Sequence, residues 1–289
     1  MPGRFFARTH NPCHSTSARQ QELKQCAGHF KTSLEIEMFT LRNKMAVALM
    51  LAMGVTMVHA EAATGAKDIV IVHGALTDGS GWRAVYDILT KDGFHVSIVQ
   101  EPLTGLAEDV AATTRVVDQQ TGPVVLVGHS YGGSVITEAG ADPKVSTLVY
   151  VAALQPDAGE ASGQLMSKFA APNNAMAATP DNYFYIPADK FRATYAQDVS
   201  ASEAQFLASS EVQLAQKAMG APLAAAAWKT KPSYAILTTQ DHVISPDLQR
   251  WMYQRSNSKV TEIAASHAVF ISQPAKVAHV IETAANSVK

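Results

Sequence analysis

The chain has 289 residues, 47% of them apolar and 17% charged, and a formal net charge of −2. That balance supports a large buried core and argues against a disordered chain. It also argues against a nucleic-acid-binding surface, which would need clustered Lys and Arg on one face.

Residues 1–37 have mixed polarity and no sustained period. Met38 stands just ahead of Arg42 and Lys44, and an apolar run of 14 residues follows from Met45. Val58-His59-Ala60 then places small residues at the −3 and −1 positions before Glu61. This pattern predicts a signal peptide over about 38–60, with translation starting at Met38 and an N-terminal extension upstream. A buried helix or a retained anchor is the competing reading, but the run is shorter than the roughly 20 residues of a membrane-spanning helix. No stable membrane anchor is expected, and a periplasmic or secreted protein follows from cleavage near Ala60. Both cysteines, Cys13 and Cys26, precede that point. The mature chain then holds no disulfide, and its stability comes from core burial. Seven of the 23 basic and three of the 25 acidic residues lie before Glu61, so what remains is mildly acidic.

Six apolar, β-branched runs predict strands: Asp68–His73, Phe94–Val99, Pro123–Gly128, Val145–Ala152, Ser233–Thr239 and Lys259–Ala264. Runs apolar throughout suit strands covered on both faces. Leu106, Val110, Thr113 and Val117 mark one helical face, and Val277, Val280, Ile281 and Ala284 mark another after the helix-starting Pro274. Strands alternating with helices predict an α/β fold with a parallel sheet. Between Ala152 and Ser233 the rhythm breaks. That stretch shows no convincing strand, several prolines, and Ala-rich helical patterns around Ser202–Met219 and Pro222–Trp228. A structureless loop of that length is improbable, so a helical insertion is expected.

Gly128-His129-Ser130-Tyr131-Gly132 follows a buried strand directly. The G-x-S-x-G spacing lets strand and helix approach closely while a strained turn projects the serine above the sheet. A serine hydroxyl is a weak nucleophile at neutral pH and needs a base. His267 lies after the last predicted strand, at the edge where parallel sheets place their sites. His129 stands in the turn itself and is expected to point away from Ser130. His73 reads as a structural residue, His95 begins a strand, and His279 lies within the last helix. Asp241 follows the strand Ser233–Thr239 and is the candidate carboxylate for the imidazole. Asp247, beside Pro246, reads instead as a helix-start residue. Oxyanion donors are expected from the backbone N–H groups of Tyr131 and Ala75, the latter beside Gly74.

These segments resemble the α/β-hydrolase superfamily across essentially the whole chain after residue 60. Within it they are similar to small bacterial esterase-like members related to plant methyl esterases and hydroxynitrile lyases. Residues 72–82, 127–133, 239–246 and 266–274 carry the likeness. The resemblance implies about six mostly parallel strands flanked by helices, with Ser130, Asp241 and His267 as triad. It also implies a core of 61–154 and 233–289 under a helical cap at 155–232. The lyases carry a Lys after the base and a Thr after the first strand's His; Ala268 and Gly74 stand there instead. Hydrolysis of a small carboxylic ester through an acyl-enzyme is therefore expected. A lyase, an acyltransferase or a slow-turnover binding protein of the same fold are the alternatives. No metal or organic cofactor is expected. Tyr183, Phe184, Tyr185, Phe191, Phe206 and Trp228 could line an apolar pocket, but for any single one packing of the cap against the core is the favoured reading.

Overall fold

The computed structural model describes residues 65–171 and 173–288. The expected start at Met38, the signal segment 38–60, Cys13 and Cys26 lie outside the described residues.

The strands are β1 (Asp68–Val72), β2 (His95–Val99), β3 (Val124–His129), β4 (Val145–Val151), β8 (Ser233–Thr238) and β9 (Lys259–Ile263). They form one six-stranded sheet in the order β2-β1-β3-β4-β8-β9. All five pairings are parallel. β1, β3 and β8 are buried along their whole length, which is why they read as unbroken apolar runs.

The period-2 pleat sorts their side chains into two cores. Ile69, Ile71, Val125 and Val127 face α1 (Arg83–Lys91) and α10 (Pro274–Asn286). Val70, Val72, Leu126 and Leu148 face α2 (Leu106–Asp118), α3 (Gly132–Ala139) and α8 (Pro246–Arg255). Each fully buried Val, Leu or Ile contributes about 1.5–3 kcal/mol relative to exposure. The edge strand β9 is exposed over Lys259–Glu262, and its charged ends discourage edge pairing.

The segment between β4 and β8 carries α4 (Ser162–Lys168), α5 (Ala188–Tyr195), α6 (Ala201–Ser209) and α7 (Gln216–Gly220). It also carries a small antiparallel sheet of β5 (Ala177–Ala178), β6 (Tyr183–Tyr185) and β7 (Leu214–Ala215), which the sequence did not suggest. Two-residue strands are too short to show alternation. The Ala-rich stretch 222–228 is not an α-helix either. Leu223 exchanges backbone bonds with Gly159 and Glu160, and Ala161 bridges Pro222. That extended pairing overrides alanine's helix propensity. Only Ala227–Lys229 forms a single 3₁₀ turn.

Among the described residues, no helix is long and apolar enough to cross a membrane.

Candidate active site

β3 ends at His129, and the chain turns at Ser130 into α3. Ser130 has φ 53°, a left-handed conformation that an L-residue adopts at a cost of about 1–3 kcal/mol. Three backbone bonds hold it there. Its N–H donates to Val151 (3.2 Å), and its carbonyl accepts from Gly133 and Leu154 (both 3.0 Å). The glycines on either side are required by close approach. A Cβ on Gly128 would lie 2.6 Å from the Gly132 carbonyl oxygen, and one on Gly132 would lie 2.5 Å from that of His73.

Asp241 and His267 meet. Asp241 lies in the turn after β8, and His267 precedes α9 (Val269–Ser272). Both side chains are fully buried, and His267 Nδ1–H donates to Asp241 Oδ2 at 2.8 Å. The same carboxylate accepts from the amides of Val243 and Ile244, from Thr238 Oγ1 and from Gln249 Nε2, at 2.8–2.9 Å. Five donors converging on two oxygens stabilise the ionised form and fix its orientation. With Nδ1 protonated, His267 Nε2 carries the lone pair. That atom is buried and has no hydrogen-bond partner among the described residues, Ser130 Oγ included. Catalytic contacts of this kind are often loose without substrate and tighten in the complex.

Asp247 lies in the first turn of α8, its N–H donating to Ser245 Oγ (3.3 Å), and its exposed side chain pairs with Arg250 at 3.4 Å. His73 is buried and structural: Nδ1–H donates to the Gly74 carbonyl (2.8 Å), and Nε2 accepts from the Glu101 amide (3.0 Å). Burial holds its pKa below the usual histidine value.

The loop after β1 passes close to Ser130. A Cβ on Gly74 would come within 2.7 Å of both Ser130 Cβ and His129 Nδ1. The next N–H, on Ala75, has no backbone acceptor among the described residues, and neither has the N–H of Tyr131. Leu76 N–H is already committed to the Val212 carbonyl at 2.9 Å. Ala75 and Tyr131 thus both keep unbonded amides among the described residues and line the same space as Ser130, Tyr131 at the positive end of α3.

Four contributors were not evident from sequence. His129 donates to the backbone carbonyl of His267, Gln249 braces Asp241, and Tyr195 from α5 packs its ring edge-on to the His267 ring at 4.9 Å. Asp109, fully buried on α2, accepts from Tyr131 Oη. Each needs a tertiary contact that no local pattern encodes. Asp109 in particular sits at a core position of its helix face, beside the half-buried Val110.

A narrow chamber opens at Ser130, lined among others by Leu154, Met166, Met176, Leu214 and Met219. Its empty volume, including the part open to solvent, is about 330 Å³. The six candidate aromatics are not among its lining residues. Phe191 stacks on Tyr195, Trp228 Nε1–H donates to the Pro156 carbonyl, and Phe206 is 60% exposed.

This sheet, the turn at its third strand and the buried His–Asp pair define an α/β hydrolase. The profile described as "Alpha/beta hydrolase family" matches residues 69–280, and the chain belongs to that family. It is 36% identical over 118 residues to a carbendazim-hydrolysing esterase of Nocardioides sp. (strain SG-4G), covering 35% of this chain and 48% of that one. The chain thus spans about half the length of that relative. It is 25% identical over 208 residues to Methylesterase 8 of Arabidopsis thaliana, covering 64% of this chain and 76% of that one. A pyrethroid hydrolase from Sphingobium faniae JZ-2 shares the fold, with a TM-score of 0.66 at 19% identity over 77% of this chain and 98% of that chain.

Proposed function

We propose that this protein is a serine hydrolase that cleaves small, apolar carboxylic esters through an acyl-enzyme on Ser130. The observation that carries the reading is the His267 Nδ1–H bond to Asp241 at 2.8 Å, which presents Nε2 as a proton acceptor beside the strained serine turn. In the proposed sequence, Nε2 takes the Ser130 proton as Oγ attacks the ester carbonyl. The N–H groups of Ala75 and Tyr131 hold the oxyanion. His267 gives its proton to the departing alkoxide as the C–O bond breaks, and water repeats the sequence on the acyl-enzyme. Esterase names among the relatives support an ester as the scissile bond. The apolar chamber supports an uncharged group next to it. Ala268 follows His267 where the lyases carry Lys, so the base has no adjacent cation to stabilise a leaving cyanide, which favours hydrolysis over the lyase reading.

Fluorophosphonate labelling combined with p-nitrophenyl ester turnover tests the proposal. Labelling and turnover that both vanish in Ser130→Ala support it. Labelling with negligible turnover at every ester length would favour a binding protein instead. Export with cleavage near Ala60 belongs to the same proposal, and N-terminal sequencing of the native protein tests it.

A further inference from the structure

Behind the nucleophile turn lies a buried polar chain that the proposed reaction does not use. Tyr131 Oη donates to Asp109 Oδ2 at 2.9 Å, and Asp109 Oδ1 accepts from the Leu103 amide at 2.8 Å. The Leu103 carbonyl in turn accepts from Ala215 N–H of β7 at 2.9 Å. Leu103 has φ 55° and Leu76 has φ 71°, both left-handed and both non-glycine. Leu76 is bonded to the same insertion segment through the Val212 carbonyl. The two free amides beside Ser130, on Ala75 and Tyr131, are therefore each tethered to residues 212–215, one through a neighbouring backbone and one through Asp109.

Keeping a carboxyl group fully buried is costly unless its hydrogen bonds need it. Asp109 has two, one to the side chain of the residue directly after Ser130 and one to the Leu103 amide. Glu101 lies close by, its side chain buried, with no hydrogen bond to either oxygen among the described residues and His73 Nδ1 4.0 Å away. Burial and the neighbouring Asp109 carboxylate raise the Glu101 pKa well above the usual carboxylate range.

We propose that Asp109 is a positioning residue of the oxyanion site: through Tyr131 Oη and the Leu103 amide it fixes the Tyr131 N–H relative to the insertion segment 212–215. The inference rests on the serine hydrolase reading. The insertion is then a structural part of the oxyanion site as well as a wall of the chamber. Displacing the insertion moves both donors.

The test uses Tyr131→Phe, which keeps the ring and the backbone N–H and removes only the hydroxyl. It also uses Asp109→Ala and Asp109→Asn. Turnover of p-nitrophenyl acetate is read as kcat and KM separately, with the affinity of a trifluoromethyl ketone, whose hemiketal on Ser130 carries an oxyanion. Both Tyr131→Phe and Asp109→Ala are expected to lower kcat and ketone affinity by about 10-fold. This is less than the 10²–10³ lost with a whole donor. KM should stay within about twofold, since ground-state binding does not use the oxyanion donors. Asp109→Asn, which keeps one acceptor, should fall between wild type and Asp109→Ala. The double variant should be no worse than Asp109→Ala, as expected for one shared path. A Tyr131→Phe protein with wild-type kcat and ketone affinity, beside an active wild type, overturns the positioning role alone. A wild type that neither labels at Ser130 nor turns over esters overturns the hydrolase reading and this inference with it.

Discussion

His129 Nε2–H donates to the backbone carbonyl of His267 across 3.0 Å, so the residue before the nucleophile holds the main chain of the histidine that faces it. The two rings lie 4.7 Å apart, and both side chains are fully buried. Burial drives the His129 pKa well below the usual value, so the ring is neutral and donates through Nε2 alone. His129→Leu should leave the His267 carbonyl unpaired. The expected cost is about 1–3 kcal/mol in urea unfolding. A loss of about 10-fold in kcat should accompany it, because the imidazole loses its register on Ser130. An unchanged kcat in a folded variant would separate the two histidines functionally.

Asp241→Asn replaces an acceptor-only group with one that presents an NH₂. One face of that amide would meet donors already aimed at the carboxylate, and the His267 tautomer would no longer be specified. Steady-state turnover of p-nitrophenyl acetate should fall by about 10⁴, with fluorophosphonate labelling slowed in parallel.

In the proposed reaction the chamber wall is expected to set chain-length preference. Met219 is nearly buried and lines the space at Ser130. Met219→Ala should enlarge that space and raise kcat/KM for p-nitrophenyl hexanoate relative to acetate by about 10-fold or more. The scale follows from about 1–3 kcal/mol per methylene in an apolar pocket. A cavity cost of about 2–5 kcal/mol should appear in thermal unfolding. Unaltered chain-length preference would place the acyl group elsewhere.

Glu211 sits in the insertion, its Oε1 accepting from the Ile186 amide at 2.8 Å. Burial raises its pKa to about 7 despite that bond. Between the unfolded value near 4.5 and about 7, the native state keeps a proton that the unfolded chain has released. Stability from this group therefore falls as pH rises through that window. Glu211→Gln keeps the acceptor and removes the titration. The melting temperature of the variant minus that of wild type should grow from pH 5 to pH 8. A difference independent of pH would show that Glu211 does not titrate there.

The core was legible because its strands are buried on both faces and its helices keep a clear apolar stripe. All six sheet strands lie within one or two residues of their expected ends. Asp241 and His267 could be picked out because each follows a strand end on one rim. The insertion was less legible. Its strands are two or three residues long, and the 222–226 stretch takes its extended form from partners at 159–161. Composition also pointed to aromatics for the pocket, whereas methionines and leucines line it. Which face a cap aromatic presents depends on packing between elements, as the Phe191–Tyr195 stack illustrates.

The crowding of hydrogens around Asp241 has a consequence for bookkeeping of charge. Four donors besides His267 already share the charge on Asp241. In the proposed reaction the transfer chain ends at imidazole: the hydrogen that leaves the serine rests on one ring nitrogen and goes back out toward the group being expelled.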